Sequence, residues 1–129
     1  MKKNILMHTG RILLALYFLI PGVGKFLSWD RSVALMEAHN MPMIPLLLAI
    51  AAVAQVAGSV SLLLNKHVVI CSLGFAVMTI LINLNLHDFW NTYEGVSPER
   101  ETQNFYKNIG IFAGLLLLAA INIDKSTDS

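Results

Sequence analysis

The run PLLLAIAAVAQVAGSVSLLL, residues 45–64, decides the fold. It carries no charge and a single amide, Gln55. An α-helix needs about 20 mostly apolar residues to cross about 30 Å of hydrocarbon. A surface helix of a soluble bundle would show a polar face at every third or fourth residue, and this run has none. A second uncharged run, residues 68–86, follows almost at once. An earlier run, residues 5–24, carries Arg11 and ends in PGVGK. A later one, residues 108–123, is shorter, and the interfacial aromatics Phe105 and Tyr106 extend it outward. Four such runs predict an all-α fold, a transmembrane four-helix bundle forming a single membrane domain over residues 1–129.

Composition agrees. Apolar residues make up 56% and charged residues 13%, against about 45–50% and about 25% in soluble domains. The mean hydropathy is +0.64. A net charge of +1 lacks the basic surplus of a nucleic-acid binder, so no nucleic-acid partner is expected. The one cysteine, Cys71, excludes an intrachain disulfide, a C-x-x-C pair and a thiolate metal cage within one chain. The start MKKNILMH is basic like a signal peptide, but no A-x-A-like site follows its apolar run. The first run is therefore read as a retained span.

Only Asn65, Lys66 and His67 separate the second and third spans, which predicts a tight antiparallel hairpin. The other two connections are long and lie together on the opposite side, where long loops tend to be functional. In the first, Phe26, Trp29, Val33 and Met36 recur at helical spacing. That spacing predicts a short amphipathic helix at the interface between spans one and two, closed by Pro42 and Pro45. In the second, EGVSPE reads as a turn punctuated by Gly95 and Pro98. The hairpin side carries Lys2, Lys3, Arg11, Lys66 and Lys125; the loop side carries Lys25, Arg31, Arg100 and Lys107. The surplus of Lys and Arg predicts both termini in the cytoplasm.

Polar residues within spans tend to face the bundle interior. Gln55 shares a face with Ala51, Gly58 and Ser59, a small-residue stripe suited to helix contact. Thr79, Asn83 and His87 repeat every four residues toward the loop side, where Asp88 and Trp90 follow. In the fourth span Lys107, Gly110 and Gly114 share one face, Asn108 lies on the next, and GIFAG is a G-x-x-x-G packing signal. Gly58, Gly110 and Gly114 are therefore expected at helix contacts. Arg11 is expected to snorkel to one interface. Lys25, His87, Asp88 and Lys107 fall at one membrane boundary on three helices. With Gln55, Asn83, Trp90 and Asn108 they form the candidate polar pocket, fit for an anion, a quinone or a lipid headgroup. A lysine is expected to hold Asp88 ionised. The competing reading is an interfacial ion-pair network.

Of four histidines only His87 ends a polar helical stripe, so no haem is expected, because axial ligands need fixed places on facing helices. His39, His87 and Asp88 are the residues a metal would draw on. No spacing groups them, and no metal site or catalytic residue is assigned.

GRILLALYFLIPGVGKF in the first span, HDFW after the third and NFYKNIGIFAGLLLLA in the fourth resemble the corresponding motifs of the DoxX family of small membrane proteins, in the same order. The resemblance implies a four-helix bundle in the bacterial or archaeal cytoplasmic membrane. It also implies a link to oxidoreduction, since related subunits belong to thiosulfate:quinone oxidoreductases. Gly22, Lys25, His87, Asp88, Phe89, Trp90, Lys107 and Asn108 match the family's recurrent positions. Members commonly carry a Glu in the middle of the second span, where this chain has Gln55.

Three classes of function stay open. One is a subunit or anchor of a membrane oxidoreductase, with a quinone or small-molecule pocket on the non-cytoplasmic side. The second is a binder or transporter of a small anion or lipid. The third is an adaptor that docks a redox or stress enzyme. With one cysteine and no cofactor motif, the chain is not expected to do redox chemistry alone. Its expected partners are the lipid bilayer, a redox enzyme and a second copy in a homo-oligomer.

Overall fold

The computed structural model describes residues 2–127, with side chains as far as Ile123, so Lys125 of the charge tally lies outside the described side chains. Five helices follow in order: α1 (Lys2–Leu27), α2 (Trp29–Ala38), α3 (Ile44–Leu63), α4 (Val68–Leu86) and α5 (Pro98–Thr127). No strand occurs among the described residues. All but α2 are long and apolar enough to cross a membrane.

The apolar runs become helices with their faces sorted for lipid. Leu13, Ile20, Ile50, Val53, Val77, Leu81 and Leu117 are more than half exposed. Gln55, Ser59, Ser72, Thr79, Asn83 and Asn122 are buried. A soluble protein would pay heavily for that inversion, whereas in a bilayer the outer face meets acyl chains. α1 lies along α3 and α4 along α5, and the α1–α5 seam is the loosest between neighbouring spans. Phe18 and Phe75 stack across the centre with ring centroids 4.3 Å apart. Ala15, Leu62, Ala76, Leu115 and Leu118 pack around them.

The hairpin between α3 and α4 is as short as expected. Asn65 and His67 adopt left-handed backbone, and Ser61 Oγ donates to the Lys66 carbonyl at 2.6 Å. The interfacial helix is α2, with Met36 buried; Phe26 belongs instead to the last turn of α1. α1 continues through Pro21.

Two expectations need correction. First, the helix that carries the fourth apolar run begins at Pro98, well before the run itself at Asn108. Apolar content cannot reveal its polar opening turns, but the start signals are there: Ser97, then Pro98, then Glu99 and Glu101 in the first turn. Ser97 Oγ accepts from the Arg100 amide at 3.4 Å. Acids at that end complement the helix dipole. Second, Arg11 does not snorkel. It is buried, and its guanidinium donates to the Leu62 carbonyl, to the Leu63 carbonyl at 3.2 Å and to His8 Nδ1 at 3.1 Å. The end of α3 leaves carbonyls without helical partners, and a cation there also meets the negative end of the dipole.

The glycines divide. A Cβ at Gly58 would lie 2.7 Å from the Phe75 ring, and one at Gly22 2.9 Å from Gln55 Cβ. Those two positions are close helix contacts. At Gly110 a Cβ would meet nothing within 4 Å, and at Gly114 only Leu14 Cδ1 at 4.0 Å. The G-x-x-x-G of α5 therefore lines a groove rather than a tight contact. The small face exists, but no neighbouring backbone fills it.

Candidate functional site

α4 ends at Leu86, and the chain turns sharply at His87 and Asp88, with the Asn91 amide bonded to the Asp88 carbonyl at 3.0 Å. This turn places His87 and Asp88 against the opening turn of α5 and the end of α2. Glu101, one turn into α5, is buried. His87 Nδ1 lies 3.1 Å and His39 Nε2 3.6 Å from Glu101 Oε2. His39 caps the C-terminus of α2, and its Nδ1 donates to the Leu35 carbonyl at 2.9 Å. Asp88 Oδ2 accepts from Asn91 Nδ2 at 2.9 Å and from the Tyr93 hydroxyl at 2.5 Å. Burial pushes the Asp88 carboxyl up. The hydrogen bonds from Asn91, Tyr93 and its own backbone amide, helped by nearby His39, outweigh that push and hold it below the ordinary aspartate range. The same bond to Asp88, with burial added, raises the Tyr93 phenol.

Two atoms of this cluster, His39 Nε2 and Asp88 Oδ1, are buried without a hydrogen-bond partner. The Tyr93 ring lies over the His39 ring, centroids 4.8 Å apart. Outside it opens a polar vestibule of about 410 Å³ lined by Glu37, Asn40, Thr92, Tyr93 and Glu94.

The expected pocket residues separate into four places. His87 and Asp88 are in the cluster just described. Asn83 and Asn108 lie deeper, in a chain that joins three spans: Tyr17 donates to Asn108 Oδ1 at 3.0 Å, Asn108 Nδ2 to Asn83 Oδ1 at 2.9 Å, and Asn83 Nδ2 to the Phe105 carbonyl at 3.0 Å. Gln55 sits at the crossing of α1 and α3, where Nε2 donates to the Phe18 carbonyl at 3.1 Å. Trp90 is half exposed and packs edge-on against Phe89 and Phe105 in an aromatic belt. Lys25 and Lys107 join none of these. Among the described residues neither forms an ion pair, and the partners of Asp88 are a tyrosine and an asparagine rather than a lysine.

Lys107 instead borders the seam between α1 and α5. There a groove of about 480 Å³ is floored by Gly10, Gly110 and Gly114 and walled by Leu6, Leu14, Ile111 and Leu117, with Arg11 also on its lining. Glu101 and Tyr93 were not singled out from the sequence, and His39 was not grouped with the pocket. The spacing of Glu101 and Asn108 puts them on one face of α5, a signal that shows once the helix is started at Pro98.

The DoxX family model matches residues 6–88 of this chain, from α1 through Asp88. The inner membrane protein YphA of Escherichia coli (strain K12) is 30% identical over 129 residues, covering 95% of this chain and 91% of that protein. No solved structure matches. Four apolar helices, the HDF turn that closes α4 and these matches agree: this chain is an integral membrane protein of the DoxX family.

Proposed function

We propose that this chain is the membrane-embedded subunit of an oxidoreductase system and holds a prenylated quinone in the seam between α1 and α5. The observation that carries the reading is the groove itself: apolar, glycine-floored, open to lipid, with the unpaired cation Lys107 on its border. From Lys107 to Ile121 the groove runs along α5 for roughly 20 Å at 1.5 Å per residue, room for an extended prenyl tail. An ionisable side chain at this depth marks a ligand path by default, and the Lys107 ammonium is a donor for a quinone carbonyl. The quinone supplies two-electron chemistry when bound; Lys107 orients the head, and the groove walls hold the tail. Cys71 is the chain's one thiol, so electrons would pass to or from a partner enzyme. The family resemblance to quinone-linked subunits supports the same reading.

Gentle extraction into lipid nanodiscs followed by mass spectrometry is expected to recover a prenylquinone with the wild-type protein. Gly114→Leu, which fills the groove where only Leu14 is near, should expel it while the protein still accumulates. Lys107→Met should weaken retention. Phospholipid in place of quinone would favour a lipid binder. A co-purifying soluble enzyme unaffected by either substitution would favour an adaptor.

The charge bias places the two long connections outside the cytoplasm in this proposal. In a Cys71→Ser background, Arg31→Cys and Glu99→Cys, both at exposed positions, should react with an impermeant thiol reagent in intact cells. Lys66→Cys, in the hairpin, should stay protected. The opposite labelling pattern would reverse the orientation.

A further inference from the structure

We propose that His39, Asp88 and Glu101 bind one divalent transition-metal ion of the zinc class at the loop-side mouth, a site separate from the quinone groove. All three are buried, and one ligand atom from each lies within 4.8 Å of the others. The atoms that would ligate are the ones left without partners. With Nδ1–H given to the Leu35 carbonyl, Nε2 is the atom of His39 whose lone pair a metal ion would take in place of a proton, the arrangement that second-shell bonds impose on metal-bound imidazoles. That lone pair faces Glu101 Oε2 at 3.6 Å and has no hydrogen bond. Asn91 and Tyr93 both bond Asp88 at Oδ2, and no other side chain bonds the buried Oδ1. A buried imidazole nitrogen facing carboxylate oxygens needs a proton or a metal ion between them.

The donor set fits such an ion. Imidazole with carboxylates suits zinc, iron(II) and manganese, whereas imidazole disfavours magnesium and calcium. Three atoms no more than 4.8 Å apart lie at most about 2.8 Å from a common centre, against bond lengths of about 2.0–2.2 Å. Closure therefore asks for less than about 1 Å at each ligand. His87 serves as a positioning residue, its Nδ1 bonded to Glu101 at 3.1 Å. The vestibule adjoins the cluster at Tyr93, whose ring lies over His39: Glu37 and Glu94 line it, and acidic walls concentrate cations. The ligands come from the end of α2, the turn after α4 and the start of α5, so the ion would tie α2 to the closely packed α4–α5 pair.

The test uses the full-length protein in detergent, stripped with chelator and titrated with Zn2+. Uptake of one Zn2+ per chain is expected, with an absorption-edge spectrum showing a nitrogen and oxygen shell that includes imidazole. Glu101→Gln and His39→Gln should each weaken binding by more than the roughly 10- to 100-fold that loss of an outer partner costs. His87→Ala should fall within that range, and Glu99→Gln, exposed in the same first turn, should change nothing. If His39→Gln does not fold, the spectrum of the wild type still decides. No saturable Zn2+ uptake, a sulfur in the shell, Ca2+ bound in preference to Zn2+, or unchanged binding in the His39→Gln/Glu101→Gln double variant would each overturn the proposal.

Discussion

Gly58→Leu should lower the yield of folded protein more than any lipid-facing substitution in the chain. A Cβ at this position already lies 2.7 Å from the Phe75 ring, and the ring's neighbouring carbons are 3.2 and 3.4 Å away. Phe75 cannot swing aside, because it is stacked on Phe18 at 4.3 Å and is 3% exposed. Adding a whole isobutyl group to such a contact costs about 1–3 kcal/mol in well-packed cores, and occasionally more. The rigid ring on one side and the α3 backbone on the other place this case at the upper end. Leu81→Ala is the control: Leu81 is 55% exposed and lines neither pocket, so its loss removes mainly contact with lipid. The measurement is the monodisperse fraction after extraction, together with the thermal midpoint in detergent. Equal yields of the two variants would mean that α3 and α4 are further apart at Gly58 than described.

Asn83→Leu is the second large effect. Asn83 is 1% exposed and holds the centre of the Tyr17–Asn108–Asn83–Phe105 chain. Leucine has a similar volume but no acceptor, so the Asn108 amide loses its partner in a medium without water. An unsatisfied buried donor costs about 1–3 kcal/mol. Transmembrane hydrogen bonds measured as pairs average nearer 0.6 kcal/mol, because the separated helices find other partners. A loss of roughly 1–2 kcal/mol is therefore expected for the single variant, and Asn108→Leu should behave alike. The double variant should lose less than the two singles together, since it orphans neither amide of the pair. Strict additivity in reversible unfolding would show that the two asparagines do not interact.

The four spans were legible because each apolar run carries its own information: about twenty mostly apolar residues are long enough to cross a bilayer wherever they stand. The helix α2 was legible for the same local reason, through the spacing of Trp29, Val33 and Met36. What could not be read is azimuth. Sequence position puts Lys25, Lys107, His87 and Asp88 toward one end of the bundle, yet position along a helix says nothing about which way a side chain turns. Lys107 faces a lipid-open seam while Asp88 turns inward. The G-x-x-x-G of α5 likewise announced a small face without saying whether a helix covers it. His39 and Glu101 escape grouping because they come from separate elements, and because the opening turns of α5 are polar and read as loop. Pro98 preceded by serine and followed by acids would have moved that boundary.

The guanidinium of Arg11 has a consequence for the order in which the chain takes shape. Its carbonyl acceptors lie 51 and 52 residues further along. When the first span leaves the ribosome those acceptors have not been made, and an unpaired arginine within an apolar span opposes insertion, the more so the nearer it lies to the span's centre. His8, one turn away, is the only polar side chain described beside it. The first span therefore gains these acceptors only when the second span, α3, has been made and packs beside it. The last turn of α3 thus times the burial of a helix synthesised well before it.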